Sequence, residues 1–281
     1  MKSKKTNMFT FARTVMAFLI VFSGGISLAT AGSRKTDVAE TVPLNLIPAQ
    51  HRESVSDVIR NASFHKKSQA ETFPANPRVY LRLLNEPMVT LSLWHDLGDT
   101  PAKLEQIGPG QFRGTDGSGT SAVWEYLVRT PKLHVMICDL EYVSPRGAAR
   151  LNGRIVLIVR SGYFQEVNGD PWVQQQVELF VKVDSRGWKA VAATLRPVIE
   201  KILDEQVQEA GWFISLMTRI VEMYPDWATS VVERQPSIPG ETRTAFVDVV
   251  KQTRREGAST GRPVMKDAQA QQASLSGPPR R

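Results

Sequence analysis

The alternation of apolar and polar positions over residues 172–183 predicts a half-buried β-strand. The opposite face of this strand carries glutamines, Glu178 and Lys182, so the hydrophobic period is two residues, as in a strand with one face against a core. Gln175 is the polar exception on the apolar face, whose other members are Val173, Val177, Leu179, Val181 and Val183.

The period becomes helical after the turn Asp184–Gly187. Apolar side chains then recur every three or four residues from Trp188 to Tyr224, which predicts a long amphipathic helix with a kink at Pro197 and an end at Pro225. Because so long an apolar stripe needs a long apolar partner, we expect this helix to pack on the sheet. Gln206 lies midway along the stripe and is its polar exception.

The segment before residue 172 predicts helices followed by antiparallel strands. Short turns join the strands, and the glycine-rich Asp116–Gly119 is typical of a hairpin, so neighbours along the chain pair without crossover helices. The sequence therefore predicts an α+β fold with an antiparallel sheet of five to seven strands gripped by a long C-terminal helix. The predicted helices are His51–Ala62, Val79–Asn85 and Met88–Leu97, and the predicted strands are Gln111–Thr115, Ser121–Val128, Leu133–Val143, Arg154–Phe164 and Trp172–Val183.

The N-terminus has the three parts of a secretory signal peptide. Basic residues precede the apolar run Val15–Phe22, and Ala29-Thr30-Ala31 forms an A-x-A cleavage site. We therefore expect residues 1–31 to be removed and the protein to be exported to the periplasm or the extracellular space. The alternative is an uncleaved anchor, although the apolar run is well short of the roughly 20 residues that span a bilayer.

Composition divides the rest of the chain into three regions. Residues 32–72 are predicted to be a linker with a short helix, and residues 73–233 to be the folded domain. Residues 234–281 are rich in Pro, Gly, Ser, Gln and charge, and we expect a disordered basic tail with at most one weak helix at Phe246, Val249 and Val250.

The charge of the chain gives no sign of a nucleic-acid partner. The net charge is +7, but residues 32–233 hold 22 basic and 24 acidic residues, so the excess lies in the signal peptide and the tail. A near-neutral domain lacks the basic surface that binds a phosphate backbone. The tail could instead attach the protein to an anionic envelope surface.

Candidate catalytic and metal-binding residues are few. Cys138 is the single cysteine and is predicted to be a buried apolar side chain; His134 lies about 13 Å from it along a strand, too far for a nucleophile–base pair. Asp139 and Glu141 share a strand face and could form an acid–base pair, or they could be the solvated end of a strand with Arg154 and Arg160 as ion-pair partners. No histidine or cysteine spacing predicts a metal site, and no cofactor is expected.

Gln206 is the strongest indication of a binding site. A buried amide must be hydrogen-bonded, and Gln175, a water molecule or a ligand could each supply the partner. Aromatic residues are concentrated nearby in the predicted layer, which favours either an aromatic core or an apolar pocket. We therefore predict a ligand site formed by Gln206, Gln175, Trp124, Phe213 and Met136.

The element order resembles the helix-grip fold of START-like domains, which polyketide cyclases and the birch-pollen allergen group share. The passage from Phe180 to Trp188 and the turns Ile107–Gly110 and Asp116–Gly119 are also similar to those of uncharacterised exported proteins of Planctomycetes-type bacteria. The START-like pattern has one strand before its two helices and six after them. The sequence predicts five after them and, before them, only a weak candidate at Thr41–Leu46.

This resemblance implies a non-catalytic domain that binds an apolar small molecule or lipid between the sheet and the long helix. A second hypothesis is an envelope-associated module that docks through its basic tail. A third is an enzyme of the cyclase or dehydratase type, whose polar groups would come from Asp139, Glu141, His134 and Gln206.

Overall fold

The computed structural model describes residues 38–98, 100–117, 119–143, 150–183 and 213–259. Pro77 and Pro87 each occupy the first turn of a helix, where the missing N–H costs nothing. The helices are α1 (Val38–Thr41), α2 (Ala49–Arg60), α3 (Pro77–Asn85), α4 (Pro87–Leu97), α5 (residues 213–223), α6 (Pro225–Glu233) and α7 (Gly240–Ser259), with a 3₁₀ turn at Leu44–Leu46.

In the described part of the chain, eight strands form one antiparallel sheet. They lie in the order β1-β8-β7-β6-β5-β4-β3, and β2 also pairs with β8. The α+β class and the antiparallel sheet are thus confirmed, while the strand count exceeds the predicted five to seven. The strands are β1 (Phe64–Lys67), β2 (Glu71–Pro74), β3 (Lys103–Gly108), β4 (Gln111–Thr115), β5 (Thr120–Arg129), β6 (Leu133–Val143), β7 (Arg150–Gln165) and β8 (Pro171–Val183).

The turn between β4 and β5 depends on glycine. Gly117 and Gly119 have φ values of +71° and +111°, which L side chains rarely adopt. A Cβ on Gly119 would also lie 2.2 Å from the carbonyl oxygen of Val143. The predicted hairpin at Asp116–Gly119 is confirmed.

The described residues form two compact units. Unit 1 contains residues 38–71, 100–162 and 174–183 within the described ranges, and unit 2 contains residues 72–98, 163–173 and 213–259. Unit 1 holds most of the sheet together with α1 and α2. Unit 2 holds α3 to α7 and the connection between β7 and β8.

The core of unit 1 lies between α2 and one face of the sheet, here called the helix-covered face. Val55, Val58 and Ile59 of α2 pack into one apolar cluster with side chains of β5 to β8. The strand members of this cluster are Leu127, Val128, Val135, Ile137, Val156, Ile158 and Phe180. The burial of Phe180 in this cluster shows that the even-numbered side of β8 faces α2.

Unit 2 is a helical cluster. Helix α6 packs against α7 and α4, and α3 packs against α7 and α4. The helix at residues 213–223 ends before Pro225, as the sequence predicts. The most deeply buried large side chains of unit 2 are Tyr80, Leu83, Leu93, Met217, Ile238 and Phe246.

Residues 32–72 are predicted to be a linker with a short helix; the helix is confirmed as α2, but residues 38–72 as a whole are part of the fold and not a linker. Val42, Ile47 and Val55 are almost fully buried, and β1 pairs with β8 in antiparallel register. The candidate strand at Thr41–Leu46 contains a 3₁₀ turn, and the strands that precede α3 and α4 are β1 and β2. With β3 included, six described strands follow the two helices, the number expected there in a START-like domain, whereas two strands precede them where that pattern has one.

The tail is predicted to be disordered with at most one weak helix at Phe246, Val249 and Val250; a helix does form there, but it is the 20-residue α7, so the disorder prediction is wrong for the rest of residues 240–259. Phe246, Val247 and Val250 are buried in unit 2, and Arg78 of α3 forms an ion pair with Glu256. The apolar positions of α7 are too few to stabilise it alone, and α3 and α6 supply the missing surface. A truncation that tests membrane attachment by the tail must therefore keep α7 and remove only residues that follow Ser259.

Several predictions fall outside the described residues. These are the signal peptide, the helix segment at residues 188–212 with its Pro197 kink, and Gln206. No helix among the described residues is long and apolar enough to cross a membrane.

Candidate functional site

The second face of the sheet in unit 1, here called the aromatic face, carries Phe112, Trp124, Tyr126, Met136 and Cys138. Phe112 of β4 lies opposite Trp124 of β5, and Trp124 lies opposite Cys138 of β6. Tyr126 lies opposite Met136 in the same pair of strands. Directly opposed residues share a face, so these side chains form one continuous surface away from α2.

The rings of the aromatic face contact one another. Phe112 stacks on Trp124 with ring centroids 5.8 Å apart, and it meets Tyr126 edge-on at 6.0 Å. The guanidinium of Arg129 lies 4.2 Å from the centre of the Tyr126 ring, a cation–π contact. Phe112, Trp124 and Met136 are all buried. Two of the predicted site residues, Trp124 and Met136, are thus brought together.

His134 borders the aromatic face and is fully buried. Its ring meets Tyr126 edge-on, with centroids 6.5 Å apart. Burial, together with a smaller contribution from the positive charge of Arg129, lowers the pKa of His134 from 6.5 to about 4. The imidazole is therefore neutral at neutral pH and can accept or donate a hydrogen bond without introducing a charge.

The buried neutral His134 makes the fold sensitive to acid. Between pH 6.5 and about 4 the unfolded chain binds a proton that folded His134 does not, so stability falls as pH falls through this window. We expect the loss to reach on the order of 2–3 kcal/mol at pH 4. Denaturant unfolding between pH 7 and pH 4 measures it, and a His134→Phe variant should lose this part of the slope. An NMR titration that gave His134 a pKa near 6.5 would contradict the prediction.

Cys138 lies on the aromatic face and is buried, as the sequence predicts. Burial raises the pKa of its thiol, and the neighbouring charge of Asp139 acts in the same direction. The thiol therefore stays protonated at neutral pH. Since the thiolate is the nucleophile, Cys138 is an apolar part of the surface.

Gln175 has a partner within unit 1. It is fully buried, and its side-chain amide donates to the carboxylate of Glu71 at 3.1 Å. Glu178 and Phe180 face α2, so the odd-numbered Gln175 lies on the same side of the sheet as the aromatic face. The suggested partner Gln206 lies outside the described residues. Glu71 supplies one of the hydrogen bonds that the buried amide of Gln175 needs.

Phe213 lies in unit 2. Its ring packs against Trp94 of α4 with centroids 5.4 Å apart. The sequence predicts Phe213 in one ligand site with Trp124, but the structure assigns these two residues to different units. The helical spacing of apolar residues shows which side of a helix is buried, and it does not show against which neighbour.

Asp139 and Glu141 lie on the helix-covered side of β6, near its end. Asp139 is directly opposite Arg154 of β7 and forms an ion pair with it at 2.6 Å. Arg154 also donates to the hydroxyl of Ser54 in α2. The predicted partner Arg154 is confirmed, and the ion pair at an exposed strand end favours a structural role for Asp139. Arg160 has a different partner.

Sequence reasoning missed a buried charge cluster on the helix-covered face. Glu178 of β8 is 5% exposed, and its carboxylate accepts from Arg160 at 2.6 Å and from the ring of His65 at 2.9 Å. Arg160 also donates to the backbone oxygen of Thr41, which ties the N-terminal segment to the sheet. The sequence carries no clear signal for it, because Glu178 lies on the polar face of β8 with Gln174, Gln176 and Lys182, where a carboxylate is expected to be exposed.

Sequence reasoning also missed a cleft within unit 2. Its volume is about 1210 Å³, and it is lined by the start of α3, the end of β7, the start of β8, the connection between these strands, α5 and α7. Phe164 and Met223 expose 47% and 40% of their surface, unusually much for large apolar side chains at a concave site. Polar lining comes from Arg78, Gln165, Asn168, Asp170, Arg219, Glu222, Arg254 and Glu256. Among the described residues, no cluster of three or more His, Cys, Asp or Glu side chains could hold a metal ion.

Comparisons with known proteins find likeness of structure only. No protein-family model matches the sequence, and no curated protein matches it. A conserved protein from Geobacillus kaustophilus is 12% identical, with a TM-score of 0.42, over 56% of this chain and 97% of that one. A START superfamily protein from Mycobacterium smegmatis is 9% identical, with a TM-score of 0.34, over 56% and 98% of the two chains. Truncated norcoclaurine synthase from Thalictrum flavum is 13% identical, with a TM-score of 0.35, over 55% and 93%. These TM-scores are low, and the likeness assigns no function.

Proposed function

We propose that this chain is an exported START-like helix-grip domain that binds an apolar small molecule or lipid against its aromatic face without catalysing a reaction. The observation that carries the proposal is the aromatic face itself. Phe112, Trp124 and Tyr126 on two neighbouring strands form a contiguous apolar surface, and Arg129 and His134 border it as single polar groups. Binding sites for small molecules have this composition, an apolar lining with a few placed polar groups.

The order of elements supports the helix-grip assignment. Strands β1 and β2 precede helices α3 and α4, and six antiparallel strands follow. Helix α2 covers one face of the sheet in unit 1, so a ligand on the sheet of that unit would occupy the opposite face. Export rests on the N-terminal sequence, and N-terminal sequencing of the purified protein should give Gly32 as the first residue.

A binding experiment on the mature protein tests the proposal. Native mass spectrometry should detect an apolar molecule that copurifies, and an uncharged apolar fluorescent probe should bind at the aromatic face. Trp124→Ala should weaken this binding at least tenfold, about 1.4 kcal/mol, because the largest ring of the face is removed. Trp227→Ala is the matched control, since Trp227 lies in unit 2 and donates to Asp96.

Circular dichroism of Trp124→Ala must match that of the original chain, so that lost binding is separated from lost structure. Trp124→Phe, which keeps a ring in place, should retain most of the affinity. If the mature protein binds no apolar probe, or if Trp124→Ala and Trp227→Ala bind it equally well, the proposal is wrong.

A further inference from the structure

We propose that the cleft of unit 2 is a second binding site, which takes a small molecule with an apolar body and a carboxylate group. The cleft is distinct from the aromatic face, because the described residues that line it all belong to unit 2. Its volume of about 1210 Å³ is sufficient for a ligand larger than most drug molecules.

The charge in the cleft that is available to a ligand is positive. Arg219 lines the cleft, is exposed, and makes no hydrogen bond or ion pair within the described part of the chain. The other two arginines of the lining are engaged. Arg78 donates twice to the carboxylate of Glu256, at 2.7 Å each, and Arg254 forms an ion pair with Asp226.

The carboxylates of the cleft are engaged as well. Glu256 accepts both hydrogen bonds from Arg78, and Glu222 accepts the backbone N–H of Asn76 at the start of α3. Asp170 accepts from the side-chain amide of Asn168. A cationic ligand would compete with these hydrogen bonds for the carboxylates. An anionic ligand can bind the guanidinium of Arg219 without displacing a partner within the described part of the chain. A guanidinium presents paired donors that match a carboxylate.

The apolar part of the ligand has a surface beside this charge. Met223 lies four residues after Arg219 in α5, so the two side chains share one side of the helix. Phe164 at the end of β7 exposes 47% of its surface and stacks on Trp172, with ring centroids 6.2 Å apart. A ring fixed by stacking loses little freedom when a ligand covers it, so Phe164 and Met223 favour an apolar body over a polar one.

Three ligands with one chain length separate charge from apolar burial. Decanoate, decanol and decylammonium each contain ten carbon atoms in one unbranched chain and differ in the head group. The protein is labelled with ¹³C at its methionine methyl groups, so that Met223 reports the cleft and Met136 reports the aromatic face. We expect decanoate to shift the Met223 resonance to saturation, with an affinity at least tenfold above that of decanol and decylammonium.

Two arginine variants provide the matched comparison. Arg219→Gln should weaken decanoate binding at Met223 at least tenfold and leave decanol unchanged. Arg255→Gln removes another exposed arginine of unit 2 that does not line the cleft, and it should leave both affinities unchanged. Equal affinities for decanoate and decanol, tighter binding of decylammonium, or an unchanged Arg219→Gln variant would each overturn the proposal. A shift at Met136 alone would support the aromatic-face site and reject this one.

Discussion

Phe180→Ala is expected to lower the free energy of unfolding by about 3–5 kcal/mol, the range for a phenylalanine removed from a packed core. Phe180 is fully buried in the cluster beneath α2. One side of its ring stacks on His65, with centroids 4.2 Å apart and planes 7° from parallel. Its loss therefore leaves a cavity and also removes a contact that holds the edge strand β1. Denaturant unfolding followed by circular dichroism measures the effect.

Phe164→Ala is the matched control, because the same side chain is lost from a strand end where it is 47% exposed. Surface truncations of this kind change stability by about 0.5 kcal/mol, and the loss of stacking on Trp172 adds to that about 0.5–1.5 kcal/mol. Comparable losses for the two variants would show that Phe180 is not in a well-packed core and would contradict the assignment of this face to α2.

The elements that the sequence predicts well are those whose pattern is long and local. The alternation over residues 172–183 identifies β8, and Gly117 and Gly119 identify the hairpin because only glycine readily takes their backbone conformation. Pro77 and Pro87 mark the starts of α3 and α4 for a similar reason. Each of these signals depends on a residue and its nearest neighbours.

The elements that the sequence misses depend on distant partners. Strand β1 has four residues, three of them His65, Lys66 and Lys67, and it forms because β8 offers its edge in register. The sequence of helix α7 is likewise mostly polar, and the helix is stabilised because α3 and α6 pack against Phe246 and Val250. A short or weakly apolar segment takes its structure from tertiary contacts, which periodicity does not reveal.

The residues of the candidate site also include some that local pattern predicts and others that depend on distant partners. Strand alternation places Trp124 and Met136 on one face, so that part of the site was predictable. The sequence did not predict that Gln175 would bond to Glu71, which lies 104 positions earlier. The cleft of unit 2 is harder still to predict, because Asn76, Phe164, Arg219 and Glu256 come from four separated segments. None of these segments has a motif that indicates its neighbours.

Glu178→Leu is expected to lower the free energy of unfolding by about 3–4 kcal/mol at pH 7, because it leaves the guanidinium of Arg160 without its carboxylate. The value lies toward the lower end of the range for buried pairs, since the Arg160 side chain is 32% exposed to solvent. The hydrogen bond between His65 and Glu178 is lost as well. Asp139→Asn is the control, because it weakens the more exposed pair with Arg154 and should cost less than about 1 kcal/mol.

The pH dependence of the stability of Glu178→Leu tests whether the loss comes from the ionised carboxylate of Glu178. Burial raises the pKa of Glu178, but hydrogen bonds from His65 and Arg160 and the charge of Arg160 outweigh it, so the folded pKa lies below the ordinary value of 4.5. A carboxylate of this kind contributes stability that is present above the unfolded pKa and is lost as pH falls through the folded pKa. The difference between the original chain and Glu178→Leu should therefore shrink below pH 4.5.

The double variant Glu178→Leu with Arg160→Leu distinguishes two causes of the lost stability. One is the charge of Arg160 left without a partner, and the other is the packing of each side chain by itself. If the cost of Glu178→Leu arises from a stranded charge, removing Arg160 as well should recover part of the stability, because a buried ion pair replaced by apolar side chains is often neutral or stabilising. The recovery is expected to be incomplete, since Arg160 also donates to the backbone oxygen of Thr41. Additive losses would instead mean that each side chain acts through its own packing and that the pair contributes no coupling.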